Sequence, residues 1–278
     1  MNQNKKVFVA YLDILGYGAF VEENAPNIVI QMNNNFSLQA QIALAYASVA
    51  KHNKTGDLKK KPYKRRQTED GRQVVIPDLD NTKINSLMMF DSIVFWTADD
   101  KDEDFHDLLN VVTIFLQGQF AMGFPARGAI AFGEFYFSGG SIQSSSVTQH
   151  YILASKAQVS AQRLEANQLW SGCVLHESVL ERCKELSITL TELENLKRII
   201  KYPVPFKRQY ELSGSRDMYA LVWLGHSEQW FPERKVLDIN MVVKKAFSLH
   251  GKKIGKKEEE KINNTIKFVN YVFPIKNK

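Results

Sequence analysis

Two aspartates stand where apolar runs stop. Asp13 ends the stretch 7–14 within "VFVAYLDILGYGAF", and Asp91 lies between the two apolar runs of "NSLMMFDSIVFWT". Carboxylates delivered by strand ends are hard oxygen ligands of the kind that hold Mg²⁺ or Mn²⁺ alongside a phosphate-bearing substrate. An aspartate at a strand end is also an ordinary turn residue or helix cap, and each of the two, taken alone, reads equally well that way. Behind Asp13, Gly16 and Gly18 frame Tyr17. Such a corner lets backbone N–H groups face an anion, although two glycines are not a complete phosphate-loop signature. The histidines, His52, His106, His150, His176, His226 and His250, show no metal-ligand spacing.

These groups need elements to position them. Residues 7–14 are nearly all apolar and rich in β-branched and aromatic types, which predicts a strand covered on both faces and central in its sheet. The apolar positions of 27–50 predict a helix. Residues 51–82 are polar, basic and broken by Pro62 and Pro77, so a long loop or hairpin inserted between elements is expected there. The segment 85–97 predicts a hairpin turning at Asp91-Ser92. "DEDFHDLLNVVTIFLQGQFAMG" predicts an amphipathic helix with acidic residues in its first turn.

Further along, "ARGAIAFGEFYFSGGS" is expected to form two strands linked near Gly133, "QSSSVTQH" a loop, and 151–168 a helix. "CVLHESVLERC" reads as a strand and a short helix, with His176 at a strand or loop end. "KYPVPFKRQYEL" and "DMYALVWL" read as a strand pair, and 238–273 as largely helical. Trp96, Trp170, Trp223 and Trp230 are expected in the core or an interface. Strands and helices alternate without a regular βαβ repeat, which points to α+β or mixed α/β.

The chain has 278 residues, enough to bury a sizeable core without disulfides. Cys173 and Cys183 are its only cysteines, so a reducing, cytosolic compartment is the natural reading. The N-terminal run is too short for a signal peptide, and no stretch approaches the roughly 18–20 apolar residues of a membrane span. Net charge is +6, unevenly spread: residues 51–66 carry eight Lys/Arg against one Asp, and 251–278 carry eight Lys against three Glu. Those segments hold +7 and +5, leaving −6 for the body, which argues against a uniformly basic nucleic-acid binder. The basic run with Tyr63 is read as a solvated loop first, with nucleic-acid contact or a triphosphate-collecting lid as the alternatives.

Taken in order, "LDILGY", "FDSIVF", "RGAIAFGE", "QRLEA" and the later "VPFK" resemble the class III nucleotidyl cyclase catalytic domain, over roughly residues 7–223. Within that superfamily the wording is most similar to the Pycsar pyrimidine cyclases of bacterial antiphage defence. The resemblance implies an α+β, ferredoxin-like βαββαβ core with extra strands, its central sheet flanked by helices. It divides the chain into a catalytic domain at 1–237, with a basic inserted loop at 51–82, and a lysine-rich helical C-terminal extension at 238–278. The implied reaction converts a nucleoside triphosphate to its 3′,5′-cyclic monophosphate and pyrophosphate, with two divalent ions, Mn²⁺ or Mg²⁺, clamping the attacking and leaving oxygens.

By position, Asp13 and Asp91 match the family's metal-binding aspartates, joined by the backbone carbonyl of Ile14. Gly16, Tyr17 and Gly18 would face the triphosphate, as would Lys207. Arg163 matches the arginine that stabilises the transition state, a task suited to a permanently charged fork. Arg127 matches a recurrent arginine of open role. Where the family has an asparagine four residues before that arginine, this chain has Val159. The positions that read adenine in adenylyl cyclases are Leu87 and Ile152, neither with a donor or acceptor, which disfavours ATP and fits a pyrimidine, UTP before CTP.

The family's active sites lie between two catalytic domains, so the resemblance implies a cytoplasmic bacterial homodimer with composite sites. It also implies a separate effector that responds to the cyclic nucleotide. No membrane partner is expected. Each residue keeps its ordinary alternative: Arg163 and Lys207 as solvated charges, the aspartates as turn residues. The rival functions are a catalytically silent cyclase fold serving as nucleotide sensor or interaction module, and a nucleic-acid binder acting through 51–66.

Overall fold

The computed structural model describes residues 5–54, 61–143, 147–208, 210, 217–224 and 239–274. His226, Trp230 and residues 55–60 of the basic run lie outside the described residues. The fold is α+β. Its main sheet has the order β4-β5-β1-β6-β8-β10-β9, with β7 paired to β6 off that path. The strands are β1 (Lys5–Ile14), β4 (Ile84–Met89), β5 (Ser92–Thr97), β6 (Ala126–Gln143), β7 (Val147–Ser155), β8 (Gly172–Leu175), β9 (Ile199–Pro203) and β10 (Asp217–Leu221). All pairings are antiparallel except β6 with β8.

The first part of the chain runs β1, α1 (Tyr17–Glu23) and α2 (Pro26–Lys54), β4, β5, α3 (Asp102–Ala121), β6. With strand order β4-β5-β1-β6, this is the ferredoxin-like βαββαβ arrangement that the resemblance implies, extended by β7–β10. The remaining helices are α4 (Lys156–Ala166), α5 (Glu177–Glu185), α6 (Leu190–Asn195), α7 (Ile239–Ser248) and α8 (Lys256–Val272). None of the described helices is long and apolar enough to cross a membrane.

β1 is central because its side chains have apolar company on both faces. Val7, Phe8, Val9, Ala10, Tyr11 and Leu12 are all buried. The period-two alternation of a strand divides them. Phe8 faces α3, its ring 4.8 Å from that of Phe105, while Tyr11 and Asp13 turn toward the side where α4 packs on β1 and β6. On the α3 side, Phe95 of β5 meets Phe115 edge-on at 5.4 Å.

Residues 61–82 contain a separate antiparallel pair, β2 (Tyr63–Gln67) and β3 (Gln73–Pro77). Lys64 of its basic strand pairs with Asp80 at 2.7 Å and Asp78 at 3.5 Å. The tail forms α7 and α8, interrupted around His250 and Gly251, both at positive φ. The inner face of α8 belongs to the core: Ile262, Thr265, Phe268 and Val269 are buried.

Three sequence expectations need correction. "ARGAIAFGEFYFSGGS" is not two strands linked near Gly133 but the first sixteen residues of one long strand, β6. Gly133 stays in register with Val7, under α4, where a Cβ would make only ordinary contact with Ala157 at 3.5–3.8 Å. "QSSSVTQH" is not wholly a loop, because 147–150 pair with the far half of β6; 144–146 lie outside the described residues. The helix expected over 151–168 starts at Lys156, where the Ser155 hydroxyl caps it by accepting from the Gln158 N–H at 2.9 Å. Residues 151–155 are strand because β6 supplies a partner there. The apolar alternation of a strand and the apolar stripe of a helix coincide over such short runs. Trp170 and Trp223 are fully buried, and Trp96 packs against Phe135 and Phe137.

Gly128 and Gly133 of β6 should respond differently to alanine. A Cβ at Gly128 would lie 2.6 Å from the Tyr11 carbonyl oxygen and 2.8 Å from Leu12 Cγ, so Gly128→Ala should cost about 1–3 kcal/mol. Gly133→Ala meets only ordinary contacts and should stay within about 1 kcal/mol of wild type. Urea unfolding of both variants checks this. A large loss at Gly133 would mean that residue sits in a turn after all.

Candidate active site

The two aspartates meet because a strand end and a hairpin tip are hydrogen-bonded. β1 pairs with β5 so that Asp13 lies opposite Ser92. The two-residue turn before Ser92 is Phe90-Asp91, closed by the Met89–Ser92 pair. The Ile14 N–H donates to the Asp91 carbonyl at 2.8 Å, which ties the tip to the end of β1. Phe90 takes φ 55°, a left-handed conformation unusual for a non-glycine residue, and is 86% exposed.

Immediately after β1, the Leu15 N–H donates to the Pro125 carbonyl at 2.9 Å, and Gly16 turns the chain at φ 79° into α1. The left-handed angle explains Gly16. A side chain there would also approach Lys252 Cδ at 3.1 Å. Tyr17 points its hydroxyl to Asn33 Oδ1 at 3.0 Å. The N–H groups of a helix's first turn have no intrahelical acceptor, and those of α1 begin at this corner.

Arg127 ties the site to the rest of the sheet. It lies opposite Asp13 across the β1–β6 ladder, with its guanidinium Nη2 3.5 Å from Asp13 Oδ2. The same side chain is ion-paired through Nε with Glu165 of α4, and its Nη1 donates to the Gln168 carbonyl at 2.9 Å. Glu165 is 3% exposed. Burial pushes its carboxyl up to about 7, against the pull of Arg127. Burial likewise raises Asp13 to about 6, opposed by Arg127 and reinforced by Asp91. The Tyr11 hydroxyl is hydrogen-bonded with Ser92 Oγ at 2.8 Å, and burial raises it above its ordinary value.

Two lysines complete this side. Lys207 follows the Gln168–Phe206 bridge, and its backbone N–H donates to the Asn167 carbonyl at 2.9 Å. Its charge acts on Glu165. Lys261, from α8, acts on Asp13, and burial lowers its ammonium, with Arg127 adding to that effect.

The structure therefore brings together Asp13, Ile14, Asp91, the Gly16–Gly18 corner, Arg127 and Lys207, but not Arg163. Two residues apart on a helix means about 200° of rotation: Glu165 points in and Arg163 out. Arg163 lines a separate surface depression of about 780 Å³ with Glu134, Tyr136, Ser155, Val159 and Ser160. Leu87 is half-buried in edge strand β4, and Ile152 lies opposite Ser138 in β7. Sequence reasoning missed Glu165 and Lys261. Glu165 carried a usable signal, its helical phase relative to Arg163. Lys261 carried none, being one of eight lysines in a basic tail.

Among the described residues no group of three or more His, Cys, Asp or Glu could hold a metal ion by itself. The donor set is two carboxylates and a backbone carbonyl. That suits a hard divalent cation that keeps substrate phosphate in its shell, and not a closed protein cage. The Asp13 carboxyl, raised by burial and by Asp91, is in the state that a nearby cation relieves.

No protein-family model matches the chain, and no curated protein matches it. Among solved structures it is similar to a bacterial light-regulated adenylyl cyclase, at 12% identity and TM-score 0.45, over 80% of this chain and 53% of that one. The chain thus spans about half the length of that protein. It is also similar to the guanylate cyclase domain of RhGC from Catenaria anguillulae in complex with GTP, at 12% identity and TM-score 0.43, over 79% and 97% of the two chains. A third is the non-canonical dimeric guanylyl cyclase domain of the RhoGC fusion protein from Blastocladiella emersonii, at 12% identity and TM-score 0.45, over 80% and 98%.

The raised carboxyls predict a pH dependence. A carboxyl whose folded value exceeds its unfolded one binds extra proton in the folded state between the two, so stability falls as pH rises through that window. For Glu165 the window runs from 4.5 to about 7. In chelator-treated protein, unfolding free energy should decline across it, and Glu165→Gln should flatten the decline by on the order of 1–3 kcal/mol. Urea titrations at several pH values measure the slope. Equal slopes in wild type and variant would show that Glu165 does not carry it.

Proposed function

We propose that the chain is a nucleotidyl cyclase that converts a pyrimidine nucleoside triphosphate, UTP before CTP, to its 3′,5′-cyclic monophosphate and pyrophosphate. The observation that carries the reading is the meeting of Asp13 and Asp91 beside a glycine corner, held by the hydrogen bond from Ile14 to Asp91. Asp13, Asp91 and the Ile14 carbonyl would hold two divalent cations, Mn²⁺ or Mg²⁺. Such ions, when bound, neutralise charge on the attacking and leaving oxygens of an in-line displacement.

The remaining work falls to the chain. Backbone N–H groups at Gly16, Tyr17 and Gly18 orient the phosphates, and Lys207 neutralises part of their charge. Arg127 is engaged with Asp13, Glu165 and Gln168, so it acts by positioning Asp13 and not by gripping substrate. Arg163 stabilises the pentacoordinate transition state from a second copy of the chain. Its outward face on α4, away from Asp13, supports a head-to-tail homodimer in which each site takes its aspartates from one protomer and its arginine from the other.

The neighbours named above are purine-nucleotide cyclases by name. The pyrimidine preference rests instead on Leu87 and Ile152, which offer no hydrogen bond to an adenine edge. The Pycsar resemblance extends the proposal to a cytoplasmic second-messenger signal in bacterial antiphage defence, read by a separate cyclic-nucleotide-responsive effector. The catalytic domain would span 1–237, with 238–278 as a helical C-terminal extension whose α8 packs into the same core. One observation favours a second reading, a catalytically silent nucleotide sensor: Val159, at the family's asparagine position, is 44% exposed beside Arg163.

Incubation with each of the four ribonucleoside triphosphates and Mn²⁺, followed by mass spectrometry, separates the readings. Cyclic UMP or CMP, absent with Asp91→Ala, is the expected product. Tight nucleotide binding with no pyrophosphate release would instead favour the sensor. Mixing Asp13→Ala with Arg163→Ala subunits at equal ratio should restore roughly a quarter of the wild-type rate, because half the dimers are then mixed and each has one intact site. No recovery, with mixed dimers verified, would exclude shared sites.

A further inference from the structure

Three cations come toward the candidate active site from three distant parts of the chain, and one five-residue segment bonds to two of them and to the helix that carries the third. Residues 167–171 connect α4 to β8. The Asn167 carbonyl accepts from the Lys207 N–H at 2.9 Å, and the Gln168 carbonyl accepts from Arg127 Nη1 at 2.9 Å. The Leu169 carbonyl accepts from Asn264 Nδ2 at 2.8 Å, and the Ser171 N–H donates to Thr265 Oγ1 at 2.9 Å. Ser171 Oγ in turn donates to the Ala126 carbonyl at 2.8 Å, next to Arg127. Helix α8 is thus fastened to the strand end that carries Arg127, and Phe268 secures it further against Trp170, rings 4.5 Å apart.

Lys261 is one turn before Thr265, whose hydroxyl donates to the Lys261 carbonyl at 2.7 Å. Residues four apart share a helix face, and side chains lean toward the helix N-terminus. The Lys261 side chain therefore leaves α8 on the face turned to Arg127, and its charge is felt at Asp13, Arg127 and Lys207. It is 19% exposed, and its ion pair with Glu258 is long, at 3.9 Å. Glu258 is itself turned back to cap α8, accepting from the Gly255 N–H at 3.2 Å. A half-buried ammonium that feels the charges of Arg127 and Lys207, with Asp13 and a 3.9 Å Glu258 as the carboxylates acting on it, is stabilised by an anion of higher charge.

Resting on the cyclase reading above, we infer that Lys261 is a polyphosphate-binding residue, so that the C-terminal helix α8 builds part of the wall against which the nucleotide's β- and γ-phosphates lie. Together with Lys207 it supplies the positive charge for the departing pyrophosphate. The tail is then a component of the site, and Arg127 remains the residue that positions Asp13.

The probe is inorganic tripolyphosphate with Mn²⁺, which carries the charge without a base, titrated calorimetrically into the full chain. Lys261→Met and Lys261→Gln should weaken its binding roughly 10–100-fold, the loss of one charge-assisted contact. Lys261→Arg should stay within about threefold of wild type. Lys267→Met, which removes the same charge from an exposed position of α8, should leave binding unchanged. Thermal melts identify any variant that does not fold, and affinities are compared between wild type and whichever of Lys261→Met and Lys261→Gln is folded. Wild-type affinity in that variant, in a preparation whose wild type makes a cyclic nucleotide, overturns this inference and leaves the cyclase reading intact. Equal losses in Lys261→Met and Lys267→Met overturn it as a general charge effect. A wild-type protein that neither binds tripolyphosphate nor forms a cyclic product overturns the cyclase reading, and this inference with it.

Discussion

A carboxylate at the end of a central strand is costly to keep ionised once the strand is buried on both faces. Here that cost is offset across the ladder, by Arg127 opposite Asp13. A guanidinium whose side chain is 14% exposed needs partners of its own, and it finds them in Glu165 and the Gln168 carbonyl. Asp13, Arg127 and Glu165 form a chain of charges in which each compensates the next, and the packing of α4 on β1 and β6 is organised around it. Compensation is incomplete, since both carboxyls remain raised by burial. The proposed cation at the Asp13–Asp91 end would add to the compensation that Arg127 supplies.

Register makes this possible. A one-residue slip of β1 against β6 would send Asp13 to the α3 face and leave Arg127 on the other. The alternation of β1, with Phe8 against Phe105 on one side and Tyr11 against Ser92 on the other, makes that slip unfavourable. The β4–β5 turn is short enough that the Asp91 carbonyl meets the Ile14 N–H directly. Strain at Phe90 is part of that geometry: the tight turn brings Asp91 to the strand end and leaves one residue left-handed.

The segment 167–171 has the corresponding role for the cations. Its carbonyls and N–H groups go to Lys207, to Arg127 of β6 and to Asn264 and Thr265 of α8. An irregular connection can serve three distant parts of the chain because its polar groups point in several directions, where a helix or strand would align them. The tail segment at His250 and Lys252 makes a similar clamp on the other side. His250 stacks on Phe124 at 4.7 Å, and Lys252 donates to the Gly123 carbonyl while lying against Gly16.

Much of the scaffold was legible before the fold was seen. The both-sided apolar run of β1, the hairpin around Asp91, the acidic first turn of α3 and the pairing of β9 with β10 are local signals, carried by periodicity and turn chemistry within a few residues. The two aspartates could be picked out because each interrupts an apolar run. Gly133 misled, since a glycine inside a strand reads like a turn until the helix packed over it is known. The engagement of Glu165 with Arg127, the outward face of Arg163 and the action of the Lys261 charge on Asp13 join residues tens to hundreds of positions apart. Local pattern determined which segments became strands and helices; only tertiary packing decided which charges share a site, because a charge is read by its neighbours in space and those are set by register and by how helices cover the sheet.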